Sequence, residues 1–230
     1  KTKQWVAVEA LCRWTAPNGE KISPCEFIRM AEQLGLIRRL EAWVRKTALT
    51  QCVSLGLDKK KFMLNINFSS TQRINDELVT ELLQTLAETG FPASKLTLEI
   101  TESTKMVFDE ESVRGLQRLA SEGITLSLDD FGTGYSTFEN LFQLSVALLK
   151  TEKLILDGIE QDNDRQYVMH TLADLAGHLN MQLIVEGVET HAQFELLGNY
   201  NINYAQGYLF SRPLSFEQIK EKIGLFGCCL

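Results

Sequence analysis

Acidic, amide and lysine side chains recur at the ends of short apolar segments of this sequence. Glu9 lies within the first such segment, and Asn67, Glu99, the adjacent pair Asp129 and Asp130, Lys150 and Glu186 lie near or just after the ends of later ones. An apolar segment gains nothing from a terminal carboxylate, and burying an unpaired carboxylate is costly. A carboxylate that recurs at this position therefore needs a compensating positive charge, and a divalent metal ion can supply it.

The donor types indicate which metal would bind. Carboxylate and amide oxygens suit Mg²⁺, Mn²⁺ or Ca²⁺ rather than zinc. The three histidines, His170, His178 and His191, lack ligand spacing, which favours ordinary surface or packing roles for them. A carboxylate of the Asp pair that bridged two metals about 3.5 to 4 Å apart would suit phosphodiester hydrolysis.

Neighbouring carboxylates in a strand point to opposite faces, so the aspartate pair needs a local turn. The glycine-bearing segment at 131–134 directly follows the pair, and we expect the backbone to turn there so that both carboxylates face one site. A single acid of this set could equally be a helix N-cap or a surface charge. A carboxylate-pair glycosidase is a further alternative, but it gives Asn67, Lys150 and the aspartate pair no role.

The elements that must position these groups alternate along the chain. Seven short apolar segments predict strands at 6–12, 62–67, 96–100, 125–128, 147–149, 183–185 and 204–208. Apolar residues at three-to-four spacing predict helices at 41–55, 76–88, 112–120 and 166–179. Capping boxes are predicted at Ser23 with Glu26, Thr190 with Gln193 and Ser215 with Gln218, the first with proline at N1. This alternation predicts an α/β fold, a TIM-like (β/α)8 barrel, as a single domain over residues 1–230.

Composition excludes several classes of protein. The 230 residues carry a net charge of −7, which argues against a basic surface that grips DNA or RNA polymers. The five cysteines, among them Cys228 and Cys229 at the end, show no CxxC spacing and predict neither a disulfide framework nor a zinc knuckle. No segment approaches the roughly 20 apolar residues of a membrane span. A cytoplasmic domain is the expectation.

Several longer motifs resemble one family. They are EAL at 9–11 followed by RW at 13–14, NFS at 67–69, EITE at 99–102, DDFGTGYS at 129–136, EGVET at 186–190 and QGYLFSRP at 206–213. The chain thereby resembles the EAL family of cyclic-di-GMP phosphodiesterases over about residues 8–214. A lone EAL tripeptide means nothing, whereas the three longest motifs together are highly specific.

The resemblance implies a role for each site residue and a two-metal site for Mg²⁺ or Mn²⁺, with Ca²⁺ inhibitory. One metal would be held by Glu9, Asn67, Glu99 and Asp129, and the second by Asp129, Asp130 and Glu186. Lys150 would position the attacking water and Glu186 would act as general base. Substrate would contact Leu11, Arg13 and Gln206, with Arg13 at a phosphate. Glu189 and Gln206 would orient the metal ligands, and Glu102 would anchor a mobile loop at 131–136.

The sequence departs from the family pattern at two places. Where the family reads DxLKID, residues 147–152 read ALLKTE, so Lys150 stands, the first aspartate is missing and Glu152 replaces the second. A YQPI-like strand, antiparallel to its neighbours in the family, is absent before the EAL segment, which predicts a chain truncated at its start. Both departures support an alternative function, a catalytically silent receptor that binds cyclic-di-GMP and signals to a partner.

The resemblance also implies partners. Family members commonly form homodimers and lie behind sensory or cyclase (GGDEF) domains, so we expect a homodimer cut from a larger signalling protein. Whether that parent is anchored to the inner membrane is left open by the sequence.

Overall fold

The computed structural model of the protein describes residues 4–69, 73–101, 109–131, 141 and 144–226, and these residues form two compact units. Unit 1 comprises the described residues up to 99 together with 109–124, and unit 2 comprises 100–101 and the described residues from 125 onward. Each unit alternates strands with helices, as the sequence predicts.

The described part of unit 1 is built on parallel strands covered by helices. Its strands are β1 (Ala7–Ala10), β2 (Trp14–Thr15), β3 (Lys21–Ile22), β4 (Met63–Phe68) and β5 (Leu96–Thr101), the last two residues of which belong to unit 2. Its helices are α1 (Pro24–Gln33), α2 (Ile37–Ser54), α3 (Asp76–Thr89) and α4 (Glu110–Ser121), with 3₁₀ turns at Leu57–Lys59 and Ala93–Lys95. Strand β4 lies between β1 and β5, and it runs parallel to β1.

Helix α3 shows how sequence signals set these elements. The Asn75 side chain accepts a hydrogen bond from the Leu78 amide, which caps the helix start, and Gly90 ends the helix in a left-handed conformation at φ +72°. Leu78 and Leu82 lie on the buried face together with Val79 and Leu86. The predicted helix at 76–88 is thus confirmed.

Three features of unit 1 differ from the predictions. Ser23 makes no side-chain cap, so the predicted capping box at Ser23 and Glu26 is wrong, although Pro24 does open α1. Helix α2 begins at Ile37, four residues before the predicted start at 41, because Gly35 at φ +67° turns the chain directly into it. The antiparallel pair β2 and β3 has only two residues in each strand, too few to show a periodicity in the sequence.

The described part of unit 2 also has parallel strands. They are β6 (Thr125–Phe131), β7 (Val146–Thr151), β8 (Gln182–Val185) and β9 (Tyr204–Ala205), paired in that order. The helices are α5 (Asn163–His178), α6 (His191–Leu197) and α7 (Phe216–Phe226), with 3₁₀ turns at Lys153–Ile155 and Ile159–Gln161. The strands contribute Leu126, Leu149, Leu183 and Val185 to the core, and α5 adds Met169.

The other two capping boxes are confirmed in unit 2. At the start of α6, the Thr190 hydroxyl accepts from the Gln193 amide while the Gln193 side chain accepts from the Thr190 amide. Ser215 and Gln218 exchange the same two hydrogen bonds before α7. Both boxes satisfy backbone donors that a helix start leaves open.

All seven predicted strands occur, with shifted ends. Strand β6 continues three residues past its predicted end at 128, whereas β9 stops at Ala205 instead of 208. Among the described residues no helix has the length and apolarity needed to cross a bilayer. The described cysteines, Cys12, Cys25 and Cys52, are free thiols, and burial, with a smaller contribution from Asp58, raises the pKa of Cys52 to about 12.

Candidate active site

In unit 1, two asparagines of β4 hold one carboxylate on each neighbouring strand. The Asn67 side-chain nitrogen Nδ2 donates to Glu9 Oε1 on β1 at 2.6 Å, and Asn65 Nδ2 donates to Glu99 Oε1 on β5 at 2.8 Å. Glu9 lies opposite Asn65 in the register of β1 and β4, and the two-residue period of a strand puts Asn67 on the same face. Two predicted site residues, Glu9 and Asn67, are therefore in direct contact.

The end of β4 is fixed by carboxylates of α1 and α2. The Ser69 amide donates to Glu41 Oε1 at 2.6 Å, and its hydroxyl donates to Glu32 Oε1 at 2.8 Å. The buried Arg45 lies 3.7 Å from the other oxygen of Glu41 and 2.9 Å from Glu81. Two helices thus restrain the residue two positions after Asn67.

In unit 2, Lys150 lies between two carboxylates. It is the penultimate residue of β7 and is 1% exposed. Its ammonium nitrogen Nζ is 2.6 Å from Glu186 Oε1 and 3.5 Å from Asp129 Oδ1. A buried ammonium is stable only when opposite charges replace its lost hydration, and these two carboxylates do so. Three predicted site residues therefore meet at one point of unit 2.

Asp129 and Asp130 occupy a β-bulge. Leu128 pairs with Leu149 and Phe131 pairs with Thr151, so β6 has one residue more than β7 between these pairs. Asp130 takes up the extra residue in a left-handed conformation at φ +55°, which aspartate tolerates better than most side chains. The backbone thus already turns at Asp130, whereas the glycine segment at 132–134 lies outside the described residues and its predicted turn stays a prediction.

The residues after Glu186 form a tight connection. Gly187 has φ +73°, and a Cβ there would lie 2.3 Å from Lys153 Cγ, so Lys153 packs directly over this glycine. Lys153 Nζ also bonds Glu189 Oε1 at 2.6 Å, and the Glu189 amide donates to Gln193 at 2.8 Å. These contacts hold Glu189 within the connection that follows Glu186, and its role in orienting the metal ligands stays a prediction.

The backbone of Gln206 and Gly207 packs against the connection that follows Glu186. The Gln206 amide donates to the Val185 carbonyl at 2.8 Å, and the Val188 amide donates to the Gln206 carbonyl at 3.0 Å. A Cβ at Gly207 would lie 2.2 Å from the Val188 carbonyl oxygen. Only glycine allows this approach of two backbones.

Gly207→Ala is therefore expected to destabilise the protein, because the backbone of Val188 cannot yield as a flexible side chain would. We expect a loss of about 2–3 kcal/mol, or roughly 5–10 °C in Tm. Thermal unfolding followed by circular dichroism measures it. The matched control is Gly177→Ala inside α5, where the nearest heavy atom is 3.8 Å away and alanine should be neutral or slightly stabilising. Equal Tm values for both variants would contradict the close approach.

The predicted substrate residues lie at the surface or near it. Leu11 and Arg13 are exposed, and Arg13 Nη1 donates to the Cys12 carbonyl at 2.9 Å. Gln206 is half-buried. Their roles in substrate binding stay predictions.

Some predicted site residues lie outside the two groups formed by Glu9 with Asn67 and by Lys150 with its carboxylates. Among the described residues the Glu152 side chain makes no hydrogen bond or ion pair, and the carboxylates that the structure places beside Lys150 are Asp129 and Glu186. Glu102 and the glycine segment at 132–136 lie outside the described residues, as do Cys228 and Cys229. In the part of the chain that the structure describes, no three His, Cys, Asp or Glu side chains are grouped to hold a metal ion.

Sequence reasoning missed Asn65. It lies in the middle of β4, between the buried Leu64 and Ile66, and not at a strand end where we looked for polar groups. The signal was present, since an amide inside an apolar strand needs a hydrogen-bonding partner. Its position two residues before Asn67 also placed it on the same face.

Comparison with known proteins covers both units. The EAL domain profile matches residues 1–213. The chain is 35% identical over 216 residues to the bifunctional diguanylate cyclase/cyclic di-GMP phosphodiesterase MucR of Pseudomonas aeruginosa, covering 93% of this chain and 31% of MucR. The chain thus spans about a third of the length of that relative.

Solved structures agree with the sequence comparison. The EAL enzyme Bd1971 in its cAMP-bound form superposes with a TM-score of 0.90 at 28% identity, covering 97% of this chain and 63% of that chain. The MucR phosphodiesterase in complex with c-di-GMP gives 0.85 at 35% identity, covering 93% of this chain and 87% of that chain. The predicted fold class, a TIM-like α/β fold of the EAL type, is confirmed by these matches. Profile, relatives and structures agree over nearly the whole length, and the chain belongs to the EAL domain family.

Proposed function

We propose that this chain is a phosphodiesterase that hydrolyses cyclic-di-GMP to linear 5′-pGpG with Mg²⁺ or Mn²⁺. The observation that carries the proposal is the buried Lys150, with Glu186 at 2.6 Å and Asp129 at 3.5 Å. Burying a lysine with two acids carries a desolvation cost that a purely structural role does not require, and such arrangements of charged groups are enriched at catalytic sites. The name of MucR and the c-di-GMP bound to its EAL structure indicate the substrate.

The metal ligands that we propose are those implied by the family motifs. They are Glu9, Asn67, Glu99, Asp129, Asp130 and Glu186. The donor set fits a hard cation, because every donor is a carboxylate or amide oxygen. Asn67 bonds Glu9 through Nδ2, which leaves the amide oxygen as its ligating atom. When bound, divalent ions supply acidification of water and charge neutralisation at the phosphate. Ca²⁺ should inhibit, because it prefers more ligands at longer distances.

The protein side chains supply the proton transfer and the positioning. Glu186 accepts a proton from the attacking water, whose oxygen forms the new bond to phosphorus as the bond to the 3′ oxygen breaks. The departing 3′ oxygen takes up a proton from solvent and becomes the 3′ hydroxyl of the linear product, and Glu186 then releases its proton to solvent. Lys150 holds Glu186 in place through its 2.6 Å contact and offers a positive charge to the water and the phosphate. The bulge at Asp130 restrains the aspartate pair beside them.

Arg13→Ala should weaken substrate binding, because a guanidinium offers two parallel hydrogen bonds to a phosphate. Arg13 is exposed and bonds only a neighbouring carbonyl among the described residues, so little folding energy depends on it. We expect the KM for cyclic-di-GMP to rise about 10-fold or more with a smaller change in kcat. Arg13→Lys should recover part of the affinity. An unchanged KM in Arg13→Ala would contradict the phosphate contact.

A silent cyclic-di-GMP receptor is the second candidate function. Two observations on the described residues favour it: the Glu152 side chain makes no hydrogen bond or ion pair, and no three His, Cys, Asp or Glu side chains are grouped for a metal. A receptor would bind cyclic-di-GMP tightly and leave it intact with metal present.

One experiment separates the two functions. The purified chain is mixed with cyclic-di-GMP and Mg²⁺ or Mn²⁺, binding is followed by calorimetry, and the nucleotides are then separated by chromatography. Binding followed by conversion to pGpG supports the phosphodiesterase. Binding without conversion supports the receptor, and neither binding nor conversion overturns both.

We also propose the assembly that the family implies. The chain would form a homodimer, and in the parent protein it would follow sensory or GGDEF domains in the cytoplasm. MucR supports the expectation of further domains, since its name includes a diguanylate cyclase and this chain matches only 31% of it. Light scattering of the purified chain tests the dimer directly.

A further inference from the structure

Asn65 is a polar side chain in an apolar setting. It is 4% exposed, and its neighbours in β4, Leu64 and Ile66, are buried as well. Burying an amide without a hydrogen bond costs about 1–3 kcal/mol. Its donor group therefore needs a partner, and that partner is Glu99 Oε1 at 2.8 Å.

The Glu99 carboxylate depends on neighbouring polar groups for its stabilisation, because Glu99 is 0% exposed. Water does not solvate this carboxylate, and a fixed N–H donor takes over part of that role. The Asn65 amide can serve only in one orientation. Were it flipped, its oxygen would face a carboxylate oxygen, and two acceptors repel.

The chemistry of Asn65 differs from that of Asn67 on the same strand. Asn67 is exposed, contacts Glu9 and is itself proposed as a ligand. Asn65 is buried, and among the described residues its oxygen Oδ1 has no hydrogen-bond partner. Among the described residues its one side-chain hydrogen bond goes to Glu99, so that carboxylate is the group through which its polarity can act on a reaction.

We propose that Asn65 is a positioning residue that fixes the Glu99 carboxylate for a divalent cation. This inference rests on the proposed function, in which Glu99 is a metal ligand. Holding Oε1 from β4 restricts the rotation of the carboxylate about its last bond. Neighbours that orient a metal ligand typically raise metal affinity about 10- to 100-fold.

The test is Asn65→Leu, which keeps the size of the side chain and removes the donor. Calorimetric titration of the metal-free protein with Mn²⁺ should show affinity weakened about 10- to 100-fold. The Mg²⁺ concentration for half-maximal turnover should rise by the same factor. At saturating metal, kcat and the KM for cyclic-di-GMP should return to within a few-fold of the parent values.

Thr97→Val is the matched control. Thr97 is also buried in unit 1, lies two residues before Glu99 on β5, and its hydroxyl has no hydrogen-bond partner among the described residues. Replacing it by an isosteric apolar side chain should leave Mn²⁺ affinity unchanged. Equal weakening in both variants would assign the effect to general disturbance of the strand and overturn the inference.

Asn65→Ser keeps the test decisive if Asn65→Leu does not fold. Serine retains a hydroxyl donor and space for water, so its Mn²⁺ affinity should lie between those of the parent and the leucine variant. Parent-like affinity in every folded Asn65 variant overturns the positioning role alone. A parent chain that binds Mn²⁺ and makes no pGpG refutes the proposed hydrolysis and leaves the metal comparison valid. A parent chain that binds no Mn²⁺ refutes both.

Discussion

Glu186→Gln should abolish most turnover while cyclic-di-GMP still binds with nearly the parent affinity. Glutamine keeps the size of the side chain and can still accept from Lys150, whose Nζ lies 2.6 Å from Glu186 Oε1. It cannot take a proton from water. Loss of a general base typically costs 10²- to 10⁴-fold in rate, and we expect kcat to fall by about this factor.

Single-turnover assays give the rate, and calorimetry gives the affinity. The matched control is Glu195→Gln on α6, an exposed carboxylate of the same unit without a side-chain contact among the described residues. It should leave kcat unchanged. If Glu186→Gln retains parent activity, the base is another group and our assignment is wrong.

Lys150→Met should lose both turnover and stability. The substitution removes a buried ammonium and leaves Asp129 and Glu186 without the charge that they share. We expect kcat to fall about 10²- to 10⁴-fold. Breaking a buried pair typically costs about 3–5 kcal/mol, and we expect the lower end because Glu186 is partly exposed.

The stability loss should depend on metal. A divalent cation can neutralise the two carboxylates in place of Lys150, so saturating Mg²⁺ should reduce the loss measured by urea unfolding. Lys46→Met serves as control, because the pair of Lys46 with Glu88 is exposed and its loss should change stability little with or without Mg²⁺. A Lys150→Met loss that is equal with and without Mg²⁺ would contradict cation binding at these carboxylates.

The strand-end pattern predicted the parts of the site that depend on regular structure. Lys150 and Glu186 meet because parallel strands place their carboxyl ends at one edge, and Asn67 reaches Glu9 for the same reason. The two-residue periodicity that decides which side chains of a strand share a face can be read from the sequence. These contacts could therefore be predicted without coordinates.

Contacts that depend on irregular backbone were not predictable. The bulge at Asp130 depends on the register between two strands that lie 15 or more residues apart in sequence, which no local pattern records. Ser23 and Glu26 match the capping-box motif in sequence, but the Ser23 side chain makes no capping hydrogen bond in the structure. Asn65 lies in a regular strand and its polarity was a visible signal, but the sequence did not identify Glu99 as its partner. Glu102 and the segment at 132–136 stay predictions.

Metal dependence of product formation tests the central claim most directly. The chain is freed of metal with a chelator, dialysed, and given cyclic-di-GMP with no addition, Mg²⁺, Mn²⁺ or Ca²⁺. We predict no pGpG without metal, full recovery of pGpG formation with Mg²⁺ or Mn²⁺, and little or none with Ca²⁺. Equal pGpG formation in the metal-free sample, or none with either activating ion, would contradict a metal-dependent phosphodiesterase.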